Sequence, residues 1–300
     1  MRLKADLTLF FVAVVWGSGF VAQRLAASNH LGAFMFNSGR FLLGALILLP
    51  FALPRWRLKP ADLPWVGLAG VLLFSGGWLQ QAGMQYTSAA NAGFITGLYV
   101  VLVPMLLALF WRQKVRLFSW IAAGLAVIGI WLLSAQGTFR LAPGDGLELI
   151  GSLLWAFHVI LVGRLSRRID VLPFSVSQFL IAGALNLFAG ALFDLPSLGA
   201  LPLTWPAILY SACFPIAMGF TLQVAGQKHA PATDAAILLS MEAVFAALFG
   251  FAWLGEGLRA GQVAGCALML AAMLLAQLNR QADPVALKAE TLPSSPTAVK

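Results

Sequence analysis

Apolar segments long enough to cross a lipid bilayer recur along the whole sequence. A helix needs about 20 residues to span the roughly 30 Å of hydrocarbon, and runs such as "FLLGALILLPF" at 41–51 lack the alternation of membrane strands. Hydrophobic residues make up 60% of the chain and charged residues only 10%, a balance that a water-soluble domain could not bury in one core. The sequence therefore predicts an all-α membrane protein.

We predict ten transmembrane helices joined by short connections. Their approximate limits are 7–25, 31–51, 63–83, 91–111, 117–134, 146–163, 173–194, 204–225, 232–253 and 259–278. The first segment is long and no small-residue cleavage site follows it cleanly, so we interpret it as a retained helix and not as a signal peptide. Residues 281–300 are rich in Pro, Ser and Ala and lack an apolar periodicity, which predicts a disordered cytoplasmic tail.

The basic residues indicate how the predicted helices are oriented. Of the 19 Lys and Arg residues, Arg40 falls inside a span and most of the others fall in connections on one side of the membrane. The richer side has Arg2, Lys4, Arg55, Arg57, Lys59, Arg112, Lys114, Arg116, Arg164, Arg167, Arg168, Lys228, Arg280, Lys288 and Lys300, and the poorer side has Arg24, Arg140 and Arg259. Because cytoplasmic loops carry the excess of Lys and Arg, both termini are predicted to be cytoplasmic.

An internal repeat is visible at a constant spacing. Residues 79–95 (LQQAGMQYTSAANAGFI) match residues 222–238 (LQVAGQKHAPATDAAIL) 143 positions later. This spacing continues downstream, and a spacing of 138 or 139 holds nearer the amino terminus. The pairs of equivalent residues include Gln80 and Gln223, Gly83 and Gly226, Tyr99 and Glu242, Trp16 and Trp155, and Arg40 and Gln178.

Each repeat contains five of the predicted helices. We place the first repeat at 5–136, with helices one to five, and the second at 143–279, with helices six to ten. Because five is an odd number, the second repeat enters the membrane from the opposite side, so the repeats are inverted. Inverted repeats are typical of secondary transporters, in which two similar bundles move about a site near the bilayer midplane.

Several segments resemble the repeated EamA domains of the drug/metabolite transporter superfamily. They are "VVWGSGFVAQRLA" at 14–26, "SGRFLLGALIL" at 38–48, "TSAANAGFITGLYVVLVPMLLALF" at 87–110 and "TDAAILLSMEAVFAALFGFAWLGEGLRAGQVAG" at 233–265. The resemblance covers about residues 5–280 and is closest to the YddG-type exporters of amino acids, including aromatic ones. It implies a ten-helix carrier, with five helices per repeat, in the cytoplasmic (inner) membrane of a bacterium. The sequence departs from the family pattern at Ala243, where a proline is usual, and at Gln113, where a glutamate is usual.

Two charged side chains lie well inside predicted spans. Facing lipid, Arg40 or Glu242 would each cost roughly 2.5–3.5 kcal/mol on insertion scales, so both are expected to face the interior of the bundle. Glu242 has three interpretations: a proton carrier, a binding group for a substrate amine, or a structural acid that is hydrogen-bonded or paired with Arg40. For Arg40 the alternatives are substrate binding and a structural role.

The other candidate site residues lie at a similar depth. At 1.5 Å per residue, Trp16, Tyr99 and Trp155 come out about 12–15 Å from the nearest predicted helix end, and His158 slightly deeper. His158 lies one turn from Trp155 and is either a second proton-coupling candidate or a polar packing residue.

Aromatic and amide side chains complete the predicted binding set. Trp16, Trp78, Tyr99 and Trp155 could stack on aromatic groups or hold an ammonium group. Asn37, Gln80 and Gln223 could bind a carboxylate, an amide or a hydroxyl, or could instead form hydrogen bonds between helices.

The sequence carries none of the motifs HExxH, GxSxG or the P-loop, and we predict neither an enzyme, a metal site nor a cofactor. The net charge of +8 is spread over many loops and forms no patch for nucleic acid. We predict a gradient-driven exporter of amino acids or similar small metabolites that works by alternating access. Its partners would be that small molecule and membrane lipid, with the chain a monomer or weak homodimer. The alternatives are an exporter of drug-like or quaternary-amine cations, and a channel.

Overall fold

A computed structural model describes residues 2–115, 117–134, 143–255 and 260–278, and these residues form helices joined by short turns. The helices are α1 (Arg2–Ser28), α2 (Ala33–Ala52), α3 (Leu63–Gly83), α4 (Ala89–Thr96), α5 (Tyr99–Trp111), α6 (Leu117–Ser134), α7 (Asp145–Leu165), α8 (Val171–Phe193), α9 (Leu201–Ser211), α10 (Thr221–Gln227), α11 (Ala232–Leu239), α12 (Glu242–Leu254) and α13 (Ala260–Leu278). A π-helical segment, Ala212–Phe220, joins α9 to α10. The predicted disordered tail 281–300 and the loop residues Arg140 and Arg259 lie outside the described residues.

Eight helical segments are long and apolar enough to cross a membrane. They are Arg2–Ser28, Ala33–Arg55, Pro60–Gly83, Ala89–Trp111, Asp145–Leu165, Val171–Phe193, Leu195–Gln227 and Ala232–Leu254. Two shorter apolar stretches, Leu117–Gly129 and Val263–Ala272, lie within α6 and α13. The chain is therefore a multi-pass α-helical membrane protein, and the described residues contain no strand.

Charged side chains lie in the interior of the molecule, and many large apolar side chains lie on its exterior. Large apolar side chains such as Leu109 and Trp253 are 73% and 71% exposed. In contrast, the charged side chains Arg40, Glu148 and Glu242 are buried. This arrangement suits a lipid environment, in which buried polar groups must find their partners inside the protein.

Two membrane segments are broken at equivalent places. The first is interrupted between α4 and α5, and the second between α11 and α12, 143 residues later. At both breaks the backbone makes the same short turn: Val100 N donates to Gly97 O at 3.1 Å, and Ala243 N donates to Ser240 O at 3.1 Å. The first break therefore lies at Gly97–Leu98, and Pro104 lies within a continuous α5.

A proline lies in the π-helical segment of another membrane segment. Pro215 lies in the π-helical segment Ala212–Phe220. Proline lacks the N–H that would continue an α-helical ladder, and π-helical turns are rare but frequently mark functional sites.

Contacts between the two halves of the chain recur at the repeat spacing. A Cβ added at Gly83 would lie 2.9 Å from Glu148 Cγ, and one added at the equivalent Gly226 would lie 2.8 Å from Leu9 Cγ. Likewise, Gly76 faces the indole of Trp155, and Gly219 faces the indole of Trp16. Helix α2 packs on its equivalent α8, and α6 packs on its equivalent α13. Each contact that the N-terminal half (described residues 2–134) makes with the C-terminal half (described residues 143–278) thus has a similar counterpart in which the roles of the two halves are exchanged.

Polar contacts tie loops together at both ends of the helices. At one end, Arg2 forms an ion pair with Asp234, and Arg168 forms one with Asp62 at 2.8 Å. At the other end, Asp194 accepts hydrogen bonds from the backbone N–H groups at the start of α2, including that of Phe34 at 2.7 Å. We call these the Asp62 end and the Asp194 end.

The approach of α1 to α12 generates a stability prediction. A Cβ added at Gly17 would lie 2.9 Å from the backbone nitrogen of Ala246 and still closer to Phe245. Gly17→Ala should therefore push these helices apart and destabilise the protein by about 1–3 kcal/mol, measured as a lower thermal unfolding temperature in detergent. Gly67→Ala is the control, because a Cβ at Gly67 meets nothing within 4 Å. Equal unfolding temperatures for the two variants would contradict the packing.

Candidate functional site

A cavity lies between the two halves, beside both helix breaks. Its empty volume is about 510 Å³, including the space through which it opens to its surroundings. The lining residues come from α1, α2, α3, α4, α5, α7, α10, α12 and the π-helical segment. The cavity is thus built by both halves of the chain.

Aromatic rings form one wall of the cavity. Phe220, at the end of the π-helical segment, lies 4.6 Å from Trp16 and 5.8 Å from Trp155 between ring centroids. The indole Nε1 of Trp16 donates to the backbone oxygen of Pro215 at 3.1 Å, which fixes its ring against the π-helical segment. The Nε1 of Trp155 is buried and has no hydrogen-bond partner within the described part of the chain. This wall offers flat apolar faces and one unused donor.

Arg40 supplies positive charge to the cavity. Its Nε donates to Asn37 Oδ1 at 2.8 Å, and its guanidinium carbon lies 5.2 Å and 5.1 Å from the ring centres of Phe36 and Phe41. Among the described residues, no carboxylate lies within ion-pair distance of Arg40. The guanidinium is therefore oriented and buried but not neutralised, as expected of a group that binds an anion.

Glu242 supplies the carboxylate. It is the first residue of α12 and accepts a hydrogen bond from the hydroxyl of Tyr99, the first residue of α5, at 2.9 Å. Of the three interpretations of Glu242, direct pairing with Arg40 is not found. The hydrogen-bonded carboxylate joins the two helix breaks and leaves the cavity with an acid and a base that do not cancel each other.

Amide side chains line the remaining surface. Gln80 Nε2 donates to Thr96 Oγ1 at 3.1 Å. Both amide atoms of Gln223, and Oε1 of Gln23, are buried and have no hydrogen-bond partner in the residues that the structure describes. Because buried polar groups are almost always hydrogen-bonded, such a concentration of unused donors and acceptors indicates a place that a ligand or water occupies.

His158 lies at the edge of the cavity and has a partner in the C-terminal half. Its Nε2 lies 2.9 Å from Gln178 Oε1, and its ring contacts those of Trp155 and Phe220 edge-on. The imidazole is fully buried. This hydrogen bond supports the packing interpretation of His158 without removing it from the cavity wall.

The structure brings most of the predicted site residues together. Those that line the cavity are Trp16, Arg40, Gln80, Tyr99, Trp155, His158, Gln223 and Glu242. Asn37 lies behind Arg40 and orients it. Trp78 does not line the cavity; it stacks on Phe34, with centroids 5.2 Å apart and rings nearly parallel.

Seven lining residues are not among the predicted site residues: Phe20, Gln23, Thr96, Val159, Pro215, Ile216 and Phe220. Gln23 lies two helical turns after Trp16 in α1. Its position on the same helix face could therefore have identified it as a lining residue. Thr96 precedes the break in helix four, and Phe220 ends the π-helical segment. The positions of these two depend on irregular backbone that the apolar runs do not reveal.

The fold and the cavity define a multi-pass helical membrane protein with a cavity lined by charged, polar and aromatic side chains between its two halves. The sequence profile of the EamA-like transporter family matches residues 3–135 and 142–278. The chain therefore belongs to the EamA-like transporter family, and the predicted membership of the drug/metabolite transporter superfamily is confirmed.

Individual relatives agree with this assignment. An uncharacterized transporter of Archaeoglobus fulgidus is 34% identical over 93% of this chain and 87% of its own length. The threonine/homoserine exporter RhtA of Escherichia coli is 28% identical over 91% of this chain and 90% of its own. A solved crystal structure at 20% identity superposes with a TM-score of 0.76, covering 93% of this chain and 98% of the other. This last likeness shows the fold alone.

The bond between Tyr99 and Glu242 generates a prediction for stability. Tyr99→Phe removes the donor to a buried carboxylate, which should cost about 1–3 kcal/mol and lower the unfolding temperature in detergent. The matched control is Tyr86→Phe, because Tyr86 is 57% exposed and surface changes usually stay within about 0.5 kcal/mol. A Tyr99→Phe protein as stable as this control would show that the bond contributes little.

Proposed function

We propose that this protein is a secondary transporter that exports amino acids, including aromatic ones, or similar small metabolites by alternating access. One observation carries the proposal: an unneutralised arginine and a glutamate line the same buried, aromatic-walled cavity. An amino acid carries a carboxylate and an ammonium group, so it matches this pair of charges.

The charges distinguish this substrate class from the alternatives. Arg40 would bind the substrate carboxylate through its free guanidinium N–H groups. Glu242, supported by Tyr99, would bind the ammonium group, and the rings of Trp16, Trp155 and Phe220 would cover the side chain. A drug-like or quaternary-amine cation would suit Glu242 but would face the uncompensated charge of Arg40.

The relatives support the same substrate class. The threonine/homoserine exporter RhtA matches this chain over most of both sequences, and the family comprises transporters. On this basis we propose the bacterial inner membrane as the location.

The proposed architecture is ten transmembrane helices arranged as two inverted repeats, residues 5–136 and 143–279. Three observations support it: the two family matches, the helix breaks 143 residues apart, and the contacts of Gly83 and Gly226 that repeat between the halves. Tyr99 and its equivalent Glu242 touch each other, as residues beside a two-fold axis do.

The proposed orientation has both termini in the cytoplasm. The loops joined at the Asp62 end include the basic residues Arg2 and Arg168, and cytoplasmic loops carry the excess of basic residues. The Asp194 end would then face the opposite side.

Substrate analogues test the two charge roles separately. For binding to purified protein, we compare an amino acid, the amine that lacks its carboxylate and the acid that lacks its amino group. Arg40→Gln should weaken binding of the amino acid and the acid roughly 10- to 100-fold and leave the amine unaffected. Glu242→Gln should weaken the amino acid and the amine and leave the acid unaffected.

The control and the contrary outcome are equally specific. Arg57→Gln changes an exposed arginine in the loop before α3 and should alter none of the three affinities. Failure of reconstituted protein to move any amino acid under an imposed gradient would overturn the proposal. Saturable transport of quaternary amines instead would favour the cation exporter.

Cysteine labelling tests the orientation. In a variant whose Cys213 and Cys266 are replaced by serine, a single cysteine at Lys4 should react with an impermeant maleimide in inverted vesicles but not in intact cells. A cysteine at Ser28 or Gln85 should show the reverse, because Ser28 ends α1, Gln85 follows α3, and both are exposed. Labelling of Lys4 and Ser28 from one side would contradict the topology.

A further inference from the structure

A second buried carboxylate lies just outside the cavity. Glu148, in the first turn of α7, has no exposed surface. Gly83 leaves room for it, because a Cβ at that position would lie 2.9 Å from both Cγ and Oε1 of Glu148. The proposed transport cycle gives this side chain no task.

Hydrogen bonds connect Glu148 to the cavity. Thr96 Oγ1 donates to Glu148 Oε2 at 3.2 Å and accepts from Gln80 Nε2 at 3.1 Å. Thr96 and Gln80 both line the cavity. The second oxygen, Oε1, is buried and has no hydrogen-bond partner among the described residues. Burying a carboxylate that accepts only one hydrogen bond and keeps one oxygen unpaired costs free energy. The unpaired oxygen is, however, a suitable acceptor for a proton.

The fold does not require these polar groups. At the repeat spacing, Glu148, Thr96 and Ser152 correspond to Leu9, Leu239 and Ala13. Leu9 makes the same close contact with Gly226 that Glu148 makes with Gly83. At the equivalent position in the other repeat, apolar residues therefore replace the polar cluster in the same packing, which argues that Glu148 is present for its chemistry.

Few ionisable groups surround Glu148. Asp145, one turn earlier on α7, and Glu242 both act on it electrostatically. Tyr99, from α5, donates to Glu242. Arg24, from α1, donates to the backbone oxygen of Met84 just beyond α3 at 2.7 Å, and Tyr86 packs against Gly144 at the start of α7. None of these is a hydrogen-bonding partner of the free Oε1.

The position of Glu148 links the cavity to one end of the molecule. Asp145, the first residue of α7, lies beside Gly83, the last residue of α3. Both residues are at the Asp194 end of the molecule, which is the proposed outer side. Asp145, Glu148, Thr96 and Gln80 thus form a line of polar groups from that end to the cavity. No equivalent line leaves the cavity through Leu9 and Leu239.

We propose that Glu148 is a proton-binding site through which the transporter exchanges protons from the outer side for substrate. A hydronium ion would protonate Oε1, giving a neutral carboxylic acid and water. When the cavity faces the cytoplasm, cavity water would accept the proton and leave the carboxylate bonded to Thr96. This inference rests on the proposed transport function and names its coupling ion.

The first experiment separates this inference from the proposed function. Labelled amino-acid counterflow in liposomes at equal pH tests transport alone, and an internal pH-sensitive dye then records proton movement when substrate is added. Wild-type protein should show both signals. Counterflow with no proton signal would leave the proposed function intact and overturn the proton site.

Variants assign the proton signal to one residue. Glu148→Gln should lose the proton signal while counterflow remains measurable, and Glu148→Asp, which restores a carboxyl group, should regain it. Asp170→Asn is the matched control, because Asp170 is exposed before α8 and makes no capping hydrogen bond. A full proton signal in Glu148→Gln, or a loss that Glu148→Asp does not restore, would overturn the proposal.

Two further measurements do not depend on those variants transporting. If Glu148→Gln does not fold, Thr96→Val, which removes the linking hydroxyl, should lower the ratio of proton to substrate flux; an unchanged ratio would count against the proposal. If wild-type protein moves no amino acid, infrared difference spectra between acidic and basic buffer still test proton binding. A carboxyl band present in wild type and absent from Glu148→Gln is expected, and identical spectra would overturn the assignment.

Discussion

The hydrogen bond between Tyr99 and Glu242 joins two broken helices in a part of the molecule where broken backbone must be shielded from lipid. Irregular backbone is tolerated at membrane depth only inside protein or beside a polar cavity. The break after α4 meets this condition, because Ser152 donates to the freed carbonyl oxygen of Thr96 at 3.0 Å. The second break is shielded by Ser240, which bonds its own preceding turn. Both breaks therefore have to lie at the centre, and the cavity forms beside them.

The cavity belongs to neither half alone. Trp16 of the N-terminal half is fixed by the backbone of Pro215, while Trp155 of the C-terminal half packs against Gly76. A relative movement of the halves would thus change the aromatic wall and the distance between Arg40 and Glu242 together. Substrate affinity and access to the cavity would be coupled by this shared construction, which is what the proposed alternating-access cycle needs.

Much of the fold follows from the sequence because lipid imposes a simple rule. Runs of about 20 apolar residues must be helices, and Arg40 and Glu242 must turn inward; the helices and their burial confirm both predictions. The repeat spacing predicts equivalent positions, and the two breaks fall on it. Ten transmembrane helices remain a proposal.

The parts that the sequence did not predict depend on local geometry. The break at Gly97–Leu98 occurs in a run as apolar as its neighbours, so hydropathy gives no sign of it. Trp78 has the residue type of the cavity wall, but its position on α3 turns it toward Phe34. Glu148 is near a predicted helix end, where an acidic residue is unremarkable. Its importance follows only from the hydrogen bond to Thr96.

Near-symmetry of the backbone and asymmetry of the side chains have different causes. The recurring glycine contacts and helix breaks let the halves pack alike, which favours two conformations of similar energy. An amino acid, however, has different charges at its two ends, and a site with true two-fold symmetry would present the same group to both. Here the base Arg40 corresponds to the neutral Gln178, and the acid Glu242 corresponds to the neutral Tyr99. Under the proposed function, the chain keeps a repeated scaffold for movement and departs from the repeat at the positions that would distinguish the two ends of a zwitterion.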